Sequence, residues 1–94
     1  MSENTTESYR FVVAGRVQGV GFRQAARMRA EQLGLRGWVR NRVDGSVEGV
    51  ASGEVPALQR FKDWLLHGPP LAQVDTLQWT ATTTERQPGF VVLH

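Results

Sequence analysis

The sequence predicts an α+β fold, an antiparallel sheet with two helices on one face, and three observations predict it. Short runs rich in β-branched and aromatic residues alternate with two stretches of helical periodicity. Glycine- and proline-bearing turn signals separate them. All of this fits in 94 residues, enough for one modest core and too few for two.

Tyr9 to Ala14 is rich in β-formers and reads as the first strand, after an opening segment of acidic, Ser, Thr and Asn residues expected to be a flexible tail (residues 1–8). The domain is expected to span 9–94. Phe22, Ala25, Ala26, Ala30 and Leu33 recur at helical spacing, and Gly34 supplies a C-terminal stop. Leu35 to Asn41 and Ser46 to Ala51 read as two antiparallel strands joined around Asp44-Gly45, a pair that tolerates positive φ in tight hairpins. A second helix is expected from about Pro56 through Leu58, Phe61, Trp64 and Leu65, ending at His67-Gly68-Pro69-Pro70. A fourth strand follows from about Gln73 to Thr82, and Phe90 to Leu93 supplies a short last one after Pro88-Gly89. The order βαββαβ in so short a chain is that of a ferredoxin-like sandwich. That architecture hosts enzymes, RNA binders and metal carriers alike, so the site has to decide the function.

Composition narrows the choice. No stretch approaches the roughly 20 apolar residues of a membrane span, and the opening segment has no basic and apolar signal-peptide regions, which makes the cytoplasm the default location. With no cysteine there is no disulfide framework, thiolate metal site or cysteine nucleophile. Residues 16–42 hold seven arginines against one acid, Glu31, a net of +6, whereas the rest of the chain nets −4. An anionic ligand is expected near the basic segment. Arg27 and Arg29 read more simply as the solvated face of a helix.

The run Gly15-Arg16-Val17-Gln18-Gly19-Val20-Gly21-Phe22-Arg23 lies between the first strand and the first helix. Glycines let successive backbone N–H groups turn inward, and the helix that follows offers unpaired N–H groups and a partial positive charge. Arg23 adds a two-pronged cation in the first turn, where it opposes the helix dipole at a cost of roughly 0.3–1 kcal/mol. A bound anion explains why the local rule is broken there. The same glycines could also simply relieve strain in a tight strand-to-helix turn, and both readings can hold together. Gln24 stands where a dinucleotide fingerprint needs its third glycine, and no Gly-Lys-Ser/Thr follows, so neither that motif nor a P-loop is present. His67 reads as a helix cap and neither it nor His94 as a metal ligand; Asp44, Asp63 and Asp75 have no spacing that suggests paired acid–base work. Trp38, Trp64 and Trp79 read mostly as core or edge-of-core residues, though Trp38 is close enough to Asn41 to border a site there.

Gly15 to Arg23, followed by Gly37-Trp38-Val39-Arg40-Asn41 and then Gly45, Val47, Gly49 and Gly53, resembles the two signature regions of the acylphosphatase family. Phe61, Trp64, Gly68, Pro69 and the element order extend the resemblance over most of the chain. It implies metal-independent, cofactor-free hydrolysis of the carboxyl–phosphate bond of small acyl phosphates, releasing carboxylate and inorganic phosphate. It also implies that Arg23 binds phosphate and Asn41 positions the attacking water, and it leans to a monomer. The backbone of Gly15, Arg16, Val17, Gln18, Gly19 and Val20 would complete the phosphate site.

The chemistry is consistent with those residues. A loose phosphoryl-transfer transition state spreads charge over equatorial oxygens, so fixed donors aimed at them are the main requirement. The leaving carboxylate is the base of an acid with a pKa of about 4, so it needs no general acid. Asn41 can hold a water but cannot take its proton, which leaves the phosphate itself as the acceptor. Taken alone, Asn41 would read as a residue that hydrogen-bonds its own hairpin. The competing class is an anion- or RNA-binding module, against which stands the lack of aromatic residues in Ser46 to Ala51. A non-hydrolytic relative of the acylphosphatase domains at the start of larger carbamoyl-transfer proteins is a third reading, disfavoured by the free-standing length.

Overall fold

Seven elements alternate along the chain in a computed structural model that describes residues 6–83 and 88–94. They are β1 (Thr6–Arg16), α1 (Phe22–Gln32), β2 (Arg36–Asn41), β3 (Val47–Glu54), α2 (Val55–Leu65), β4 (Gln73–Ala81) and β5 (Phe90–Val92). The sheet order is β4-β1-β3-β2-β5. Each crossover skips one position, so that β3 lies between β1 and β2, and β1 between β3 and β4. This is the split βαβ arrangement expected of the ferredoxin-like fold.

Two expectations change. β1 begins at Thr6, so Thr6 to Ser8, expected in the tail, belong to the strand, paired with Ser52 to Glu54 of β3. Ser8 is buried there; the remainder of the expected tail lies outside the described residues. The sheet is mixed and not wholly antiparallel, because β5 runs parallel to β2 with Gly37, Val39 and their neighbours opposite Phe90 to Val92. The other three pairings are antiparallel.

Alternation along the strands sorts the core. Phe11 and Val13 of β1, Val39 of β2 and Val47 and Ala51 of β3 face the helices and are fully buried. Phe22, Ala26 and Ala30 of α1, spaced by four, and Leu58, Phe61 and Leu65 of α2, spaced by three and four, close over them. Burying each of the large side chains contributes about 1.5–3 kcal/mol. Aromatic rings tie the layers together: Phe61 stands edge-on to Phe11 and Phe90 and stacks on Trp64, which also meets Phe22. α1 ends as expected at Gly34, where Leu35 N–H bonds the Ala30 carbonyl and Gly34 N–H that of Glu31, with Leu35 turned into the core. His67 caps α2, its ring Nδ1–H donating to the Asp63 carbonyl at 3.0 Å.

The β2–β3 hairpin turns through three residues and not two. Arg42 N–H bonds the Ser46 carbonyl, Gly45 alone adopts positive φ, and Asp44 accepts hydrogen bonds from the Ser46 amide and hydroxyl. Those bonds, with Arg42 nearby, hold the Asp44 carboxyl below the usual carboxylate range.

Candidate active site

The glycine run leaves the sheet through a bulge. β1 stays paired with β4 to Arg16, with the register shifting between Ala14 and Gly15. A Cβ on Gly15 would sit 2.2 Å from the Gln73 carbonyl oxygen, so this glycine lets β4 approach. Gly19 and Gly21 serve another need. Both have positive φ, and a Cβ on either would meet nothing within 4 Å, so the backbone conformation requires glycine while the surrounding space stays open. Val17 is buried in the core and Val20 packs against it, pinning the loop from beneath. Gly21 then starts α1 with no side-chain cap and no acid in the first turn. The first N–H groups of the helix therefore have no intrahelical partner and no capping side chain, an arrangement suited to an anion.

A cavity of about 340 Å³ opens over this helix start, at the small end of the range for small-molecule sites. Gln18, Gly19 and Gly21 line one side, and Arg23 and Gln24 continue it. Asn41 faces them from the end of β2, and Val92 and His94 close the rim. Gly15, Arg16 and Val20 do not line it: Gly15 and Arg16 lie in the β1–β4 pairing, and Val20 turns toward the core.

Arg23 is held loosely. Its Nη1 lies 3.3 Å from the Leu93 carbonyl oxygen and 3.4 Å from His94 Nδ1, and among the described residues no carboxylate pairs with it. Most of its donor fork is uncommitted. Other arginines of the basic segment are engaged elsewhere: Arg27 with Glu31, Arg42 with Asp44, and Arg40 with Glu48 on the sheet face away from the helices. The +6 charge is thus divided between the two faces.

Asn41 lies two residues beyond the core residue Val39, on the helix side of the sheet. Its Oδ1 is buried and, among the described residues, has no hydrogen-bond partner. A buried acceptor left unpaired costs about 1–3 kcal/mol, so one that persists calls for a ligand or water that satisfies it. The side-chain bonds that fasten the hairpin, expected of Asn41 when it is taken alone, are made instead by Asp44. Trp38, expected beside Asn41, is not in the cavity. Three residues along a strand reverse the face, and Trp38 lies on the far side with the Arg40 guanidinium 5.4 Å from its ring centre.

Two contributions were not read from the sequence. The Gln18 side chain, expected only to lend its backbone, donates from Nε2 to the carbonyls of Arg42 and Ser46 at 2.8 and 2.9 Å. The Val92–His94 segment reaches the site because β5 joins β2, with Leu93 N–H bonding the Val39 carbonyl. Contacts 70 residues apart leave no local signal; for Gln18, a single polar side chain amid glycines and valines was the available hint.

A family model described as Acylphosphatase matches residues 9–92. An acylphosphatase from Alkalilimnicola ehrlichii is 51% identical over 87 residues, covering 93% of this chain and 98% of that protein. Among solved structures, an acylphosphatase from Coxiella burnetii superimposes with a TM-score of 0.93 at 38% identity, covering 99% of this chain and 100% of the other. One from Bacillus subtilis gives 0.90 at 40% identity, covering 96% and 100%.

Proposed function

Because this chain belongs to the acylphosphatase family, and is thus an enzyme that hydrolyses acyl phosphates to a carboxylate and inorganic phosphate, we propose how its residues divide that work. The phosphate sits over the start of α1, its oxygens taken by backbone N–H groups around Gln18 and Gly19, the part of the expected Gly15–Val20 cradle that lines the cavity, and by the Arg23 guanidinium. Asn41 holds the water.

The observation that carries this reading is the buried, unpartnered Oδ1 of Asn41 on a side chain that faces the same cavity as Arg23. A water that donates one hydrogen to Oδ1 keeps a lone pair for phosphorus. As that lone pair forms the new P–O bond, the P–O bond to the acyl group breaks and its electrons leave with the carboxylate. The water's proton passes to a phosphate oxygen, since the Asn41 carboxamide cannot accept it at neutral pH. Arg23 and the N–H groups meet charge on the equatorial oxygens, where fixed donors contribute most. No metal or cofactor enters any step. In this reading the chain works as a cytoplasmic monomer on a small substrate and without nucleic acid; among the described residues no helix is long and apolar enough to cross a membrane.

The test is hydrolysis of benzoyl phosphate in excess EDTA by wild type and Asn41→Ala. Turnover is expected to fall at least a hundredfold in the variant, the usual cost of one positioned polar group, while inorganic phosphate still inhibits. A variant that keeps more than a tenth of wild-type kcat would falsify the assignment of Asn41.

A further inference from the structure

The phosphate cradle and Asn41 belong to different pieces of chain, and in-line attack depends on the distance between them. β1 and β3 part company after the Val13–Val47 pair, so the sheet ladder does not extend to the loop that follows β1. Among the described residues, the hydrogen bonds between the loop from Val17 to Gly21 and the β2–β3 turn are the two from the Gln18 carboxamide. They reach both strands of the hairpin, Arg42 directly after Asn41 and Ser46 directly before Val47, the residue opposite Asn41.

We propose that Gln18 is a positioning residue whose side chain fixes Asn41 at a set distance from the phosphate cradle. Only an NH2 group at this length donates two hydrogens to two carbonyls while staying neutral beside the phosphate. A carboxylate would oppose both carbonyls, and an ammonium would add charge to the cradle. The hairpin does not rely on this tie for its own closure. The Ser46 carbonyl also accepts from Arg42 N–H, and the Arg42 carbonyl from Gly45 N–H, so both oxygens keep a partner when Gln18 is removed. What Gln18 adds is the join between two segments that each hold their own shape. Displacing a reacting group by about 1 Å costs on the order of a hundredfold in rate.

This rests on the assignment of Asn41 above, and the two fail separately. Gln18→Met keeps the side-chain length and the loop backbone while removing both donors. It is expected to lower kcat on benzoyl phosphate by roughly ten- to a hundredfold, with the inhibition constant of inorganic phosphate within threefold of wild type and circular dichroism unchanged. A general loosening of the loop would instead weaken phosphate binding in step with turnover, and that result overturns the proposal. So does a Gln18→Met enzyme with wild-type kcat beside an Asn41→Ala enzyme that has lost it. If Asn41→Ala is itself active, the water assignment and the positioning role fall together. Gln18→Glu, with its carboxylate against two carbonyls, should be slower than Gln18→Met and bind phosphate more weakly; a Gln18→Glu enzyme faster than Gln18→Met also contradicts the role given to the two donors.

Discussion

At the scale of single residues, the site is built from groups that the fold leaves unsatisfied. Arg23 stands at the positive end of α1 with no carboxylate partner among the described residues, and Asn41 keeps a buried acceptor unpaired. In the proposed roles, such residues serve function at the expense of stability. Arg23→Gln should therefore abolish phosphate inhibition, lower turnover more than a hundredfold, and raise unfolding stability by a few tenths to about 1 kcal/mol as the clash with the helix dipole is relieved. Urea unfolding alongside kinetics checks both; a variant destabilised by more than 1 kcal/mol would mean that the contacts with Leu93 and His94 matter chiefly for the fold. Arg23 drew attention through a local pattern, a cation in the first turn of a helix, whereas Asn41 taken alone read as a hairpin residue and was singled out only by the resemblance to the family's second signature; both line the cavity. Of the two readings of Trp38, the one that had it border the Asn41 site fails, although the remedy was local, since strand alternation already separates positions 38 and 41. Gln18 was legible only as backbone, because nothing in its neighbourhood indicates carbonyls 24 and 28 residues away.

At the scale of elements, the strands and helices followed from periodicity and turn chemistry, and the differences lie where pairing extends them. β3 runs on to Glu54 and β1 starts early at Thr6 because the two complete each other's ladder, which neither sequence reveals alone. The close approach of the central strands sets a steric demand at Gly49. A Cβ there would lie 2.2 Å from the Trp38 carbonyl oxygen and 2.5 Å from the Phe11 ring. Gly49→Ala is expected to destabilise the protein by about 1–3 kcal/mol, read as a lower urea midpoint at an unchanged m-value. An unchanged midpoint would show that both the Phe11 ring and the β2 backbone at Trp38 can move aside freely. The hairpin illustrates the opposite case: Asp-Gly was read correctly as a turn signal, but the side chain of Asp44 fastens a three-residue loop, a choice made by bonds to Ser46.

At the scale of the whole molecule, the sheet has two unlike faces. One is the apolar floor beneath the helices; the other carries Glu48, nearly buried between Arg10 and Arg40. Burial pushes the Glu48 carboxyl up, but hydrogen bonds and charge from the two arginines outweigh it and hold the group below its ordinary range. A carboxyl lowered on folding contributes stability above its unfolded value of about 4.3 and loses it as pH falls through the folded value. Glu48→Gln should cost about 1–2 kcal/mol at pH 7. The gap to wild type should close as pH drops below about 4.3; urea midpoints that stay equally far apart from pH 7 to 3.5 would contradict this. The parallel β2–β5 pair escaped the sequence reading because three residues of strand carry no sign of direction. That short edge brings the end of the chain to the mouth of the cavity, whereas α2 and β4 contribute no residue to the cavity lining. The polypeptide is thereby split into a working party and a ballast. Changes in the ballast reach the site only through the core, chiefly where Trp64 of α2 packs on Phe22 of the cavity lining and where β4 lies against Gly15; away from those contacts α2 and β4 can drift through many apolar repackings without the chemistry registering them.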